Sequence, residues 1–169
     1  MAFTVEDGTG LEDANAFVGV TDFVSYWAER GLDLSDLDGE LVQAAIVKAT
    51  DYMELRFALK WKGIKLSIDQ GIGWPRKYVY NREGAVVASD SVPKKVKAAC
   101  YEYAKRALDA ALLPDPVDNP NIISKTETIG PISTSITYAG GVSATKLQAY
   151  PSADMLLVDF IVEAAGSYR

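Results

Sequence analysis

Basic and aromatic side chains alternate in one stretch of this chain: Lys60, Trp61 and Lys62, then Trp74, Arg76, Lys77, Tyr78, Tyr80 and Arg82. Cations neutralise phosphate oxygens and rings stack on unpaired bases, so the mixture suits a groove for single-stranded nucleic acid. The formal charge of the whole chain, -6, works against a dedicated binder, because a negative remainder repels the polymer. Other chemistries lack their tools. There is no histidine and one cysteine, Cys100, which excludes the usual zinc sites and any nucleophile activated by a histidine. Gly8-Thr9-Gly10 and Gly71-Ile72-Gly73 complete neither a dinucleotide-binding pattern nor a phosphate loop. Asp33, Asp36, Asp38 and Glu40 cluster without the calcium loop and its closing Glu, and read as solvated and helix-start charges. No catalytic, cofactor-binding or metal-ligating residue is assigned, and an enzyme is not expected.

The elements that must position the basic stretch are helical. Val92, Val96, Ala99, Cys100, Tyr103, Ala104, Ala107, Leu108 and Ala111 fall at three-and-four spacing, which predicts a central helix from about Val92 to Leu113 started by Ser91 and Pro93. Cys100 lies on its apolar face and reads as a small buried hydrophobe. A second long helix runs from a cap at Asp38 to about Leu59, with the stripe Val42, Ala45, Ile46, Ala49, Met53 and Phe57 facing the first. A shorter one, Asp22 to Arg30, is capped by Thr21, buries Phe23, Tyr26 and Trp27, and ends at Gly31. Residues 1 to 20 read as an extended acidic arm ending in an apolar anchor.

Between Lys60 and Val92 the helical period vanishes among Gly63, Gly71, Gly73, Gly84 and Pro75, so a long structured loop with a short strand pair is expected. Trp74 is its clamp, and Pro75 fixes the direction of Arg76, which either projects to a partner or bonds within the fold. The run from Pro114 to Pro120 ends the helical block. Ile122 to Ile129 and Ile132 to Tyr138 read as two strands around Gly130-Pro131, a pair too thin in apolar content to stand alone. Gly140-Gly141 opens a flexible join. Ser152 then caps a final helix holding Met155, Leu156, Leu157, Phe160 and Ile161, which completes its own core or docks on a partner.

One domain fits the length of 169 residues, and no apolar run is long enough to span a membrane. Charge is strongly segregated. Residues 1 to 55 carry 12 acidic and 2 basic side chains, residues 56 to 106 carry 4 and 12, and residues 107 to 169 carry 7 and 3. The basic block implies a polyanion partner, complementary faces between chains, or neutralisation within one fold.

Taken together, Ala2 to Gly10, Ala14 to Val18, Ala49-Thr50-Asp51-Tyr52-Met53, Gln70, Trp74-Pro75-Arg76 and Val92-Pro93 opening an Ala-rich helix resemble a family of small tailed-phage proteins. Its members are labelled DnaT-like single-stranded-DNA-binding proteins or head-tail connector (adaptor) proteins, and the likeness covers roughly residues 1 to 115. It implies a connector in the virion, made in the host cytoplasm, that forms a ring, twelvefold, under the portal protein. That ring would bind a neck or tail-completion protein below and pass genomic DNA through its lumen without specific binding. The alternative label implies a replication accessory protein that binds single-stranded DNA.

The expected fold is mainly α, a small helical bundle with a β-rich arm and a C-terminal helix. Its parts are a helical core at 1–115, an extended arm and linker at 116–150, and a docking helix at 151–169. Trp74, Arg76, Lys77, Leu156, Leu157 and Phe160 are the residues expected to meet partners.

Overall fold

The computed structural model describes residues 2–113, 124–129, 132–137 and 149–162. They fall into two compact units, Met1–Leu112 with Ala149–Arg169, and Leu113–Gln148. The first is mainly α. Helix α1 spans Val20–Ala28, α2 spans Gly39–Phe57 and α3 spans Lys94–Asp109. All six stripe residues of α2 are buried, and so are Val96, Ala99, Cys100, Tyr103 and Ala104 of α3. These faces pack on one another because each is apolar at helical spacing, and the burial of each large side chain stabilises by roughly 1.5–3 kcal/mol. Helix α1 leans on α3 through rings, with Phe23 and Tyr26 against Tyr101 at centroid distances of 6.4 and 4.6 Å.

Helix ends follow the sequence unevenly. Asp38 caps α2, its side chain accepting the Glu40 N–H at 2.9 Å. Gly31, just past α1, takes the left-handed conformation at φ +78°. Thr21 and Ser91 do not cap: α1 begins after Gly19 and α3 after Pro93, neither with a side-chain cap. Tyr26 and Trp27 are only half-buried.

Residues 2–19 are not an extended arm. Val5 bridges Ala16, and Ala14, Ala16, Phe17 and Val18 are buried in the core. Glu6 is buried too, its carboxylate accepting the N–H groups of Gly8 (2.9 Å), Gly10 (2.8 Å) and Leu11 (3.0 Å). An acid inside an acidic run reads as surface; here the loop wraps round it, and charged acceptors on several N–H donors are among the stronger hydrogen bonds.

The loop after α2 contains the expected short strands, β1 (Ile64–Lys65) and β2 (Arg76–Lys77), paired antiparallel. Gln70 organises it from inside, donating to the carbonyls of Ile72 (2.8 Å) and Pro75 (3.1 Å) and accepting the Ser67 N–H (2.9 Å). The Trp74-Pro75 peptide is cis. Gly71 packs against the N-terminal loop, where a Cβ would lie 2.5 Å from the Ala14 carbonyl oxygen, so a glycine pair without a phosphate-loop pattern has a packing cause.

Residues 149–162 close the same core. Helix α4 is one turn, Pro151–Asp154, continued by a 3₁₀ turn at Met155–Leu157. The final helix expected from a Ser152 cap does not run on through Phe160 and Ile161: among the described residues the helical turns end at Leu157. Ser152 lies within α4, and its hydroxyl accepts from Arg106 at 2.7 Å. Leu157 and Phe160 are buried, with the Phe160 ring edge-on to Trp74 at 5.5 Å. The backbone then pairs with the start of the loop that follows α2: Lys62 N–H donates to the Phe160 carbonyl (2.9 Å) and Val162 N–H to that of Lys60 (2.6 Å). Asp154 accepts from Arg56 at 2.5 Å and from the Tyr103 hydroxyl, beside the Tyr52 and Tyr150 rings.

The second unit contains a hairpin, β3 (Ser124–Ile129) and β4 (Ile132–Thr137), in register from Ser124 opposite Thr137 to Ile129 opposite Ile132. The expected breaker run at 114–120, the Gly130-Pro131 turn and the Gly140-Gly141 join lie outside the described residues. No helix among the described residues is long and apolar enough to cross a membrane.

Candidate functional site

The basic-aromatic stretch divides into an inward and an outward set. Trp74 is completely buried, its indole edge-on to Trp61 at 5.9 Å. Arg76 is 9% exposed, and its guanidinium donates to three carbonyls: Lys62 from Nε (2.7 Å), Gly73 from Nη1 (3.1 Å) and Gly63 from Nη2 (2.8 Å). Burial lowers its proton affinity while the nearby Glu54 carboxylate opposes that shift. Glu54 in turn accepts the Gly73 N–H at 2.8 Å, and burial pushes its carboxyl upward. Trp74 and Arg76 therefore hold the loop together and offer no face to a partner. Of the other expected interface residues, Leu157 and Phe160 are internal, and Leu156 and Lys77 are half-buried.

What that clamp positions lies just beyond it. Val79 is fully buried, while Tyr78 and Tyr80 on either side of it are 70% and 52% exposed. Residues 79–87 form a hairpin in which Val87 N–H donates to Val79 (2.9 Å) and Asn81 N–H to Ala85 (3.0 Å), while Tyr80 bridges Val86. The Asn81 side chain closes the turn by accepting the N–H groups of Glu83 (3.0 Å) and Ala85 (2.8 Å).

A groove of about 530 Å³ opens here, with Lys77, Tyr78 and Tyr80 on one side and Val86, Ser89 and Asp90 among its remaining walls. Tyr78 has φ +58°, a left-handed backbone that costs a ring-bearing residue about 1–2 kcal/mol. Two exposed rings, a lysine and an apolar wall can hold a flat heteroaromatic group and a phosphate beside it. Arg82 stands at the hairpin turn, 70% exposed at its side chain, with only a loose 3.7 Å contact to Asp159.

Sequence reasoning named Tyr78 and Tyr80 within the stretch but expected partners at Trp74, Arg76, Lys77, Leu156, Leu157 and Phe160, of which Lys77 lines the groove. It missed the hairpin wall, for which Asn81 and Gly84 were the available turn signals. Among the described residues no group of three or more Cys, Asp or Glu side chains is arranged to hold a metal ion.

A family model described as "Putative DnaT-like ssDNA binding protein" matches residues 1–169. The chain belongs to this family. The match extends past the 1–115 stretch that carries the resemblance and takes in the hairpin unit and residues 149–162. Of the two labels the resemblance carried, the match bears the DnaT-like one and does not speak for a connector. No curated protein and no solved structure matches the chain.

Proposed function

We propose that this chain binds single-stranded DNA through the groove lined by Lys77, Tyr78, Tyr80 and residues 86–90. The observation that carries the reading is the pair of exposed rings, Tyr78 and Tyr80, beside Lys77 at the groove. Family membership supports it, as does the location of the groove within the one basic block of an acidic chain. Rings supply sequence-tolerant stacking, and the lysine and Arg82 supply the phosphate contacts. The acidic remainder limits the affinity, and the phosphate contacts make it sensitive to salt.

Fluorescence anisotropy with a labelled single-stranded oligodeoxynucleotide, titrated over a salt series, tests this. Log affinity should fall linearly with log salt, with a slope of about -1.4 if Lys77 and Arg82 each neutralise one phosphate, and a duplex of the same sequence should bind less well. Equal binding to duplex, or none to the single strand, removes the reading.

A second reading is favoured by one observation, the separate unit Leu113–Gln148 with its two-stranded hairpin. A lone hairpin is marginal in water and gains from a neighbour. In a ring-forming connector at the head-tail junction, that neighbour would be another copy or the portal protein, and segregated charge would set the register. Counting this chain against the portal protein in purified virions separates the two: a stoichiometric count supports the connector, and absence from virions ends it.

A further inference from the structure

We infer that Tyr78 is the platform on which a base of single-stranded DNA stacks; this deepens the binding function proposed above and rests on it. Two independent observations meet at this residue. Its backbone is left-handed at φ +58°, which residues with a Cβ adopt at a cost, asparagine at a smaller one than tyrosine, and glycine freely. Its ring nevertheless returns little to the fold: it is 70% exposed, and among the described residues it has neither a ring partner nor a hydrogen bond.

The strain is held from both sides. Arg76, two residues earlier, is bound by three carbonyls, and Val79, next in the chain, is fully buried. The Lys77 carbonyl presses over Gly63, where a Cβ would sit 2.1 Å from its oxygen, so this approach also requires a glycine. A backbone forced into a sparsely populated conformation, with its side chain turned to solvent at the edge of a groove, is the pattern expected of a residue kept for contact with a ligand. The ring faces a groove that it shares with Tyr80, Lys77 and Val86. A base can lie on Tyr78 with its phosphate near Lys77, while Val86 gives the base an apolar edge.

The test compares the full chain with Tyr78→Asn and Tyr78→Phe, measuring anisotropy with a fluorescein-labelled single-stranded oligodeoxynucleotide at low salt and the thermal unfolding midpoint. Asparagine should weaken binding about tenfold while leaving the midpoint equal or higher, because it keeps the turn and relieves the strain. Phenylalanine should bind as the wild type does, since stacking needs the ring and not the hydroxyl. Wild-type affinity in Tyr78→Asn, a lower midpoint in that variant, or equal loss in Tyr78→Phe would each overturn the assignment while leaving the binding function standing. No binding by the wild type would overturn both.

Discussion

Glu54 is the acid on which the loop's geometry depends. It accepts the Gly73 N–H and lies near Arg76 and Lys65, yet burial dominates and raises its carboxyl above the ordinary 4.5, with the Gly73 N–H, Lys65 and Arg76 opposing. The folded protein thus binds this proton more tightly than the unfolded chain does. Its contribution to stability is fullest below 4.5 and is lost as the pH rises through the raised value. Glu54→Gln keeps an oxygen for Gly73 and removes the titration, so it should gain on the wild type as the pH rises from 4.5 through the raised value in urea unfolding. A variant that instead loses ground over that interval would mean that attraction to Arg76 outweighs burial. Cys100 gives a second check at this scale. Burial pushes its thiol up to about 12, so an aromatic disulfide reagent should label it only when the protein unfolds. Cys100 was legible from the sequence because it sits on an apolar helical stripe. Tyr78 was not, since nothing in a tyrosine's side chain announces the sign of its φ.

Among the elements, α2 and α3 could be read directly, because two amphipathic stripes of similar length have one economical way to be buried. The segment 149–162 could not, since Met155 to Ile161 is apolar without a helical period and packs as a short helix, a 3₁₀ turn and a backbone pairing. Two kinds of contact hold it, and their sizes differ. Phe160 closes over Trp74 inside the core, whereas Lys95, 57% exposed at its side chain, pairs with Asp159 at the surface. Phe160→Ala should therefore cost about 3–5 kcal/mol in denaturant unfolding and shift the tryptophan emission to the red. Asp159→Asn should cost less than about 1 kcal/mol. The reverse order would show that the segment is held by charge and that Phe160 is free to face a partner.

For the molecule as a whole, the compact unit is discontinuous in sequence: residues on either side of Leu113–Gln148 belong to one core, and the Tyr150 hydroxyl donates to the Leu112 carbonyl at 3.3 Å. Excising residues 114–148 and joining Leu113 to Ala149 through a short glycine-serine link should leave helix content and cooperative unfolding of that unit intact, as read by circular dichroism. Loss of cooperative unfolding would mean that the hairpin unit is part of the same folding unit. A hydropathy pattern announces where a helical block stops, but not whether the chain returns to it later, and so the sequence left open whether the segment from 151 completes its own core or docks on a partner. That return also sets an order in time. On the ribosome, Trp74 and the inner face of α3 are made early, yet Leu157 and Phe160 arrive only after the hairpin unit has been synthesised, a few seconds later at about 5–20 residues per second. Until then the nascent core stays open on its Trp74 side. A ribosome that stalls inside the hairpin therefore leaves a fragment with an uncovered tryptophan, which chaperones and proteases can distinguish from the finished protein.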